Sequence, residues 1–500
     1  VIPLSYTKVP QEAVFFIQSL WRYGHKAYFV GGCVRDALLD KVPHDWDICT
    51  DATPNQVTFI ANTLNEAEAY NELYYEKKGL YYERLFIKVL PTGIKHGTVT
   101  VMIDGIPYEV TTFRSDGDYS DGRRPDNVTF TKNVIDDLAR RDFTMNAIAF
   151  NPIRAELVYQ TRVVDPYGGM KDIENKIIRC VGNPNDRFNE DGLRILRAIR
   201  FAAQLGFTIE EETSKAIHEN KHLLKNISRE RIQSELFKIL MSDFCGNTIL
   251  REYEDVICEC IPQIAPMIGF KQNSPYHIYD VWEHTLHCMN YDIFNSSSQK
   301  WLADNIEIRL ALLLHDIGKP YVYEEDENHI GHFKGHAVVS EAIAKIVLQE
   351  LKCSNEIINN VTELIRNHDV EFNPTKSSVK RLLNKIGELQ LRRLILLRTA
   401  DLWGHKYNPE NFNKVHRFKE VLEEVLQEES CFKLKDLAIN GKDLLEVGIP
   451  EGKLIGDILN ELLIMVIDGE IPNEKEKLLE ITDLLLEVKL GNTEGEYPCL

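Results

Sequence analysis

The sequence predicts an α+β protein: a mixed-sheet head followed by an all-helical neck, body and tail. Three observations carry this reading. Short strand-like runs punctuated by Gly-Gly and Asp-Gly fall in the first 155 residues. Apolar residues at helical spacing dominate after that. Histidines and aspartates recur inside apolar helical text in the middle of the chain. At 500 residues the chain exceeds what one core organises. The pattern divides it into a head (1–155), a neck (156–270), a body (271–405) and a tail (406–500).

Apolar content of 44% and charged content of 27% are those of a soluble globular protein, and no run is long enough to span a bilayer. The opening Val-Ile-Pro-Leu-Ser-Tyr lacks a charged region followed by an apolar core, so no signal peptide is expected. Ten scattered cysteines contain no C-x-x-C pair, Cys258 and Cys260 being nearest, which favours reduced thiols and a cytosolic compartment. A net charge of -19 disfavours indiscriminate attraction to nucleic acid. Between Lys176 and Lys238, however, 12 Lys and Arg stand against 9 Asp and Glu, so a polyanion would lie there.

Glu12 to Tyr23 has helical spacing, with Val14, Ile17, Leu20 and Trp21 on one side. Tyr28 to Val30 reads as a strand that ends at Gly31-Gly32, where backbone turns sharply or approaches a ligand. Val34 to Leu39 reads as one or two helical turns whose free amides face the same spot, with Arg35 available to a phosphate oxygen. Pro43 closes that element and His44 to Thr50 reads as a second strand. Residues two apart on a strand share a face about 6.5–7 Å apart, so Asp45 and Asp47 are expected to project together while Trp46 and Ile48 pack behind. Carboxylates so placed share hard divalent cations, and two ions about 3.5–4 Å apart stabilise both the attacking and the leaving oxygen of a phosphoryl transfer. Asp-x-Asp alone is common on solvated strand edges. Gly-Gly-Cys-Val-Arg-Asp before it adds a phosphate cradle.

Thr53-Pro54 opens a helix running to about Leu64. Asn65 to Arg84 reads as a tyrosine-rich insertion, a solvated loop or short helix, with RNA contact as the alternative. Thr98 to Ile103 and Tyr108 to Arg114 alternate like a hairpin around Asp104-Gly105. Glu109, beside the Asp-x-Asp strand, would complete a three-carboxylate metal site. Ser115 to Asp126 is turn-rich and charged, a mobile gate. Ile135 to Phe150 reads as a helix whose later half enters the core; Arg140 and Arg141 pair with neighbouring acids, or Arg141 holds a triphosphate or ribose. Asp191, Arg194 and Arg197 stand at steps of three and share one face of a helix, which without context is a surface ion pair.

Taken in order, Gly31-Gly32-x-Val-Arg35-Asp36, Asp45-x-Asp47, Glu109, Arg123-Arg124-Pro, Arg140-Arg141-Asp-Phe-Thr-Met-Asn-Ala and Glu190-Asp191-Gly-Leu-Arg194 make the chain similar to the class II tRNA nucleotidyltransferase and bacterial poly(A) polymerase family. The resemblance is specific over roughly residues 13–240. It implies a polymerase-beta-like nucleotidyltransferase head with two Mg2+ ions on Asp45, Asp47 and Glu109. It implies nucleotide binding by Gly31, Gly32, Arg35, Arg141, Arg197 and Arg200. It further implies that Asp191 and Arg194 hydrogen-bond the Watson–Crick edge of incoming CTP or ATP, with Glu190 orienting that Arg. In the neck helix that starts at Ser228, Arg229 and Arg231 would contact RNA phosphates. The implied partner is tRNA lacking CCA, and the implied activity is template-independent addition of C, C and A to its 3′ end. Enzymes adding only CC, only A, or poly(A) share the head motifs and remain alternatives.

A His-Asp pair inside an apolar helix is costly unless both groups are bound to something. His284, His315-Asp316 in Leu-His-Asp-Ile-Gly-Lys, and Asp401 resemble the HD phosphohydrolase superfamily, which makes those four residues the implied ligands of a divalent metal; His336 and His368 could hold a second. An HD hydrolase with a vestigial head, or an HD scaffold that only binds tRNA, is the alternative. Beyond His405 helices are expected around Phe418–Glu428 and Ile455–Leu463, broken at Asn440-Gly441 and Gly448-Ile-Pro, with a frayed end from Glu494 to Leu500. The family resemblance assigns this tail to the tRNA elbow.

Overall fold

A computed structural model describes residues 9–66, 86–117, 119, 125, 127–152, 161–242, 245–290, 305–428 and 431–489. Most of the tyrosine-rich stretch, Arg123 and Arg124 with much of the expected gate, and Glu494–Leu500 lie outside the described residues. The chain packs as two compact units, Val1–Pro262 and Gln263–Leu500. The expected head and most of the neck fall in the first, the body and tail in the second. No described helix is long and apolar enough to cross a membrane.

The first unit opens with helix α1 (Gln11–Arg22), which buries Val14, Ile17 and Leu20 as its spacing requires. Strand β1 (Ala27–Val30) is buried at every position because it lies inside the sheet. Gly31, at φ +83°, turns the chain into α2 (Gly32–Leu38). Then come β2 (Ile48–Thr50), α3 (Pro54–Glu66), β3 (Ile87–Leu90), β4 (Thr98–Ile103) and β5 (Ile106–Thr112). The β4–β5 hairpin forms as expected. Asp104 and Gly105 both take left-handed φ values, +49° and +83°, which matches the twist of the strands they join. Short strands β6 (Arg114–Asp116) and β7 (Val128–Phe130) pair with each other. Helix α4 (Val134–Ala139), β8 (Ala149–Pro152) and β9 (Thr161–Val164) complete the seven-stranded sheet, ordered β3-β4-β5-β2-β1-β8-β9. β2 runs parallel to β5, with Ile48 opposite Val110, and antiparallel to β1. This brings the residues just before β2 beside Glu109.

Three expectations are corrected here. The His44–Thr50 strand is only Ile48–Thr50, and Asp45 and Asp47 precede it in irregular backbone. Its partner β1 leaves the sheet at Gly31, so the ladder ends at Phe29 opposite Ile48. Ile135–Phe150 is not one helix: α4 stops at Ala139, and Ala149 and Phe150 instead pair with β1. Asp142 accepts hydrogen bonds from Phe143 N and Asn146 Nδ2, a local pattern that competes with helix. Asp191 is not on a helix face with Arg194 and Arg197. Helix α5 (Pro184–Glu190) ends there in extended backbone, φ -146°, and α6 (Leu193–Leu205) starts beyond Gly192. At Gly192 a Cβ would come to 3.0 Å from Leu223 Cβ, so close packing sets the break. The unit continues through α7 (Arg229–Leu240).

Among the described residues the second unit is helical apart from a short hairpin, Glu324–Glu325 with Gly331–His332. Helices α8 (Val281–Met289), α9 (Ile306–Leu314), α10 (His336–Glu350), α11 (Asn355–Asn367) and α12 (Lys376–Gly404, kinked at Gly387) form its body. α13 (Pro409–Gln427) and α14 (Lys453–Asp468) contain the expected tail helices; Asn440 caps a new helix and Gly448 takes φ +90°, so both expected breaks occur. The tail has its own apolar cluster, including Leu444, Leu462 and Leu478.

Beneath the Asp45–Asp47 segment, buried Phe29 meets Trp46 edge-on at 4.9 Å and stacks with Phe150 at 6.4 Å. Phe29→Ala should therefore cost about 3–5 kcal/mol. Chemical denaturation of the variant beside the parent checks this; a loss below about 1 kcal/mol would mean that the aromatic platform does not support the segment.

Candidate active site

Gly31 is the pivot of the head. A Cβ there would lie 3.0 Å from Arg141 Nη1 and 4.0 Å from Asp47 Oδ2, so a guanidinium and a carboxylate flank bare backbone. Val30 N donates to Asp47 O at 3.0 Å, which fixes the carboxylate-bearing segment against the end of β1. Burial pushes the Asp47 carboxyl up to about 6; Glu109 and Asp45 push the same way and Arg141 opposes them. Three carboxylates thus repel one another at one point, and all their donors are hard oxygens, which suits a divalent cation such as Mg2+. Asp45 is open, its side chain 79% exposed and 3.1 Å from His44 Nδ1. The expected projection of Asp45 and Asp47 from one strand face is replaced by this arrangement.

Asp137 stands behind Arg141. Its fully buried carboxylate accepts from Arg140 at 2.8 and 3.0 Å and from Arg141 at 3.3 Å. Burial alone would raise its pKa, but the two guanidiniums outweigh that and hold it below the usual carboxylate range. Arg141 Nε is buried without a hydrogen-bond partner among the described residues. The carbonyl of Arg140 accepts from Arg194 Nη2 at 3.1 Å, and Arg194 Nη1 bonds Glu190 Oε2 at 2.5 Å. Asp191 is fixed at both oxygens: Leu193 N donates to Oδ1 at 3.1 Å and Arg231 Nη2 to Oδ2 at 2.9 Å. A cleft of ≈ 550 Å³ is lined by Glu109, Tyr119, Arg140, Asp191 and Arg194, among others.

Other predicted nucleotide ligands are already engaged. Arg35 bonds Asn146 Oδ1 at 2.9 Å and Asp36 Oδ1 at 2.8 Å, and lies 4.8 Å from the Phe201 ring. Arg197 is tied to Asp142, and buried Arg200 pairs with Glu235 at 3.1 Å. Arg231 faces Asp191, and Arg229 Nη1 donates to the Cys260 carbonyl at 3.0 Å. Sequence reasoning missed Asp137, Tyr119 and the Arg231–Asp191 pair. Asp137 lies at i-3 and i-4 from the two arginines, which a helical reading could have flagged; the others depend on long-range packing.

In the second unit the predicted body ligands converge. His284 Nε2 is 3.0 Å from Asp401 Oδ1 and 3.4 Å from His315 Nε2. Asp316 turns Oδ2 to both of these imidazoles at 3.4 Å and Oδ1 to His336 and His368 at 3.5 and 3.8 Å. His336 and His368 bring their Nε2 atoms to 3.0 Å. All six are buried. Burial alone would lower His315, but Asp316 and Asp401 carry it up to about 10; burial and the neighbouring His315 push His368 down to about 3. Cys288, His277 and His405 also adjoin the cluster. Lys319 Nζ reaches Asp316 Oδ2 at 2.7 Å, and a cleft of ≈ 360 Å³ beside the cluster is lined by Lys319, Lys334 and Arg398 as well as its imidazoles.

Residues 27–75 and 76–179 match the family described as "Poly A polymerase head domain". Residues 206–264 match "Probable RNA and SrmB- binding site of polymerase A", and residues 324–482 match "tRNA nucleotidyltransferase domain 2 putative". The chain is 32% identical over 470 residues to the CCA-adding enzyme of Geobacillus thermodenitrificans, covering 94% of this chain and 95% of that one. It is 33% identical over 481 residues to the CCA-adding enzyme of Pediococcus pentosaceus, covering 95% and 99%. Among solved structures, the Bacillus stearothermophilus CCA-adding enzyme in complex with CTP aligns with a TM-score of 0.63 at 29% identity, over 97% of this chain and 99% of that one. The Thermotoga maritima CCA-adding enzyme complexed with tRNA_CCA shares the fold, with a TM-score of 0.55 at 21% identity over 96% and 97%.

A cation held by Asp47 would compete with a proton. The raised pKa of this carboxyl means that it is ionised at pH 7.5 and mostly protonated at pH 5, so a cation must displace a proton below about 6. Mn2+ affinity of the head should fall about tenfold per pH unit below that point. Calorimetric titrations of the parent, corrected with those of Asp47→Asn, check it; a difference isotherm unchanged between pH 7.5 and 5 would contradict the assignment.

Proposed function

The chain belongs to the family of CCA-adding enzymes and poly(A) polymerases, and from that premise we propose how its own residues carry the reaction, the template-independent addition of CCA to the 3′ end of tRNA from CTP and ATP. The observation that supports the assignment best is the single cleft onto which Glu109, Asp191 and Arg194 all open, with Asp47 coupled to Glu109. Asp45, Asp47 and Glu109 hold Mg2+. When bound, two such ions lower the pKa of the tRNA 3′-hydroxyl and neutralise charge on the departing pyrophosphate. Gly31 lets the triphosphate reach bare backbone beside the Arg141 guanidinium, which would supply a charge-assisted bond to a phosphate oxygen.

Base choice falls to Asp191 and Arg194. The carboxylate accepts from the exocyclic amino group that C and A share, and the guanidinium donates to the adjacent ring nitrogen. Glu190 and the Arg140 carbonyl fix the guanidinium, and Arg231 fixes the carboxylate. Arg35, Arg197 and Arg200 are supports, each committed to a protein partner.

A second reading concerns the body. Asp316 offers one oxygen to the His284–His315 side and the other to the His336–His368 side, which is the arrangement of a carboxylate bridging two cations. With Lys319, Lys334 and Arg398 supplying positive charge to the adjoining cleft, we infer that this centre binds divalent metal and hydrolyses phosphate esters. Metal analysis of the purified protein and metal-stimulated phosphate release, lost in Asp316→Ala while CCA addition persists, test it.

For the head, a tRNA ending at its discriminator base should gain two residues with CTP alone and a third only when ATP is added. CTP-only extension would indicate a CC-adding enzyme, A-only extension an A-adding one, and long ATP tails a poly(A) polymerase. Asp47→Ala should lower turnover by about 10³-fold or more, since several kcal/mol of charge stabilisation are lost, with tRNA affinity unchanged. Arg231→Gln should lower selectivity for CTP over UTP by about tenfold or more, because a charge-assisted bond worth about 1.5–3 kcal/mol no longer holds Asp191. If Arg231 contacted RNA phosphate instead, filter binding would show weaker tRNA affinity and selectivity would stay as in the parent.

A further inference from the structure

The body centre contains a donor that the His-Asp pattern does not include. Cys288 lies one helical turn after His284 on α8, on the same face, and both are fully buried. Its Sγ is 3.5 Å from His284 Nε2, the nitrogen that also faces His315 and Asp401. One ligand atom each from His284, Cys288, His315 and Asp401 lie within 4.8 Å of one another. Gly404 on α12 makes room for this. A Cβ at that position would fall 2.6 Å from both Cys288 Sγ and His284 Nδ1, so any other residue would drive the sulfur and the imidazole apart.

The edges the structure gives are close to those of a coordination shell, the other two being within 4.8 Å. Tetrahedral ligands at about 2.0–2.3 Å from an ion stand about 3.3–3.8 Å from each other. Here the edges are 3.0 Å for His284–Asp401, 3.4 Å for His284–His315, 3.5 Å for His284–Cys288 and 3.6 Å for His315–Asp401. Sγ thus stands at ligand distance from the ring nitrogen that two other donors face. Its further polar neighbours among the described residues include the Asp401 carbonyl, at 3.8 Å, and the Gly404 backbone.

We propose that Cys288 is a thiolate ligand of the cation held by His284, His315 and Asp401. The proposal rests on the reading of this centre as a metal site. On binding, the S–H bond breaks, its proton leaves to solvent and a sulfur–metal bond forms. With Asp316 Oδ2 on the same side, the shell would hold two nitrogens, two oxygens and one sulfur, and the sulfur favours a borderline ion such as Zn2+ or Co2+ over Mg2+, whereas the Asp316, His336 and His368 position has no sulfur. The two halves of the centre therefore differ in the metal they prefer.

The test is a Co2+ titration of the full-length, chelator-treated protein followed by absorption spectroscopy. The expected result is a near-ultraviolet thiolate-to-cobalt band rising in step with the visible cobalt bands. In Cys288→Ser, and independently in Cys288→Ala, the near-ultraviolet band is lost while visible bands remain, and Zn2+ affinity falls about tenfold or more. Visible cobalt bands without a near-ultraviolet band in the parent overturn the ligand role of Cys288 and leave the metal centre standing. A band that persists in both variants assigns it to another thiol and overturns the proposal equally. No cobalt uptake at all removes the metal-centre reading together with it.

Discussion

The buried Asp137 carboxylate is the interaction on which the head depends. It receives Arg140 and Arg141 from consecutive positions of one chain turn. Arg141 thereby points to Gly31 and Asp47, while Arg140 is held so that its carbonyl receives Arg194. One fixed negative charge therefore orients both the guanidinium beside Gly31 and the carbonyl that receives Arg194. Breaking such a buried pair from one side costs about 3–5 kcal/mol, since it strands the remaining charges without partners. Asp142 performs a similar task one step away, tying Arg197 to the turn that carries Asn146 and, through Asn146, Arg35.

Much of this was legible in the sequence because it is local. The β4–β5 hairpin followed from alternation and an Asp-Gly turn, α1 and the tail helices from apolar spacing, and the end of β1 from Gly31. In each of the three corrections the state of the backbone is decided at least in part by a partner outside the segment, alongside the local hydrogen bonds of Asp142 in the second. Asp45 and Asp47 lie outside β2 because β1 departs at Gly31. The residues after Ala139 leave the helix because β1 requires a neighbour on its other side. Asp191 sits between helices because Gly192 packs on Leu223. Periodicity within a segment carries no information on any of these contacts.

Candidate residues divide along the same line. Residue type and order singled out Asp47, Glu109, Arg141 and Asp191, and the fold brings them around one region. They could not tell a ligand-facing arginine from one already committed to the protein. Arg35, Arg200 and Arg231 look alike in sequence, yet Asn146, Glu235 and Asp191 claim them. In the body the His-Asp pair was conspicuous because so apolar a helix, Ile306–Leu314, leads into it. Cys288 was not, since a cysteine in a buried helix is ordinarily a small hydrophobe.

The helix that fastens Asp191 belongs to the same compact unit as Asp45, Asp47 and Glu109, and that unit closes at Pro262. On the roles proposed above, the choice of letters written would be encoded within that unit. Drift in the second half can alter how substrate is gripped, or what else the protein does, while the alphabet stays the same.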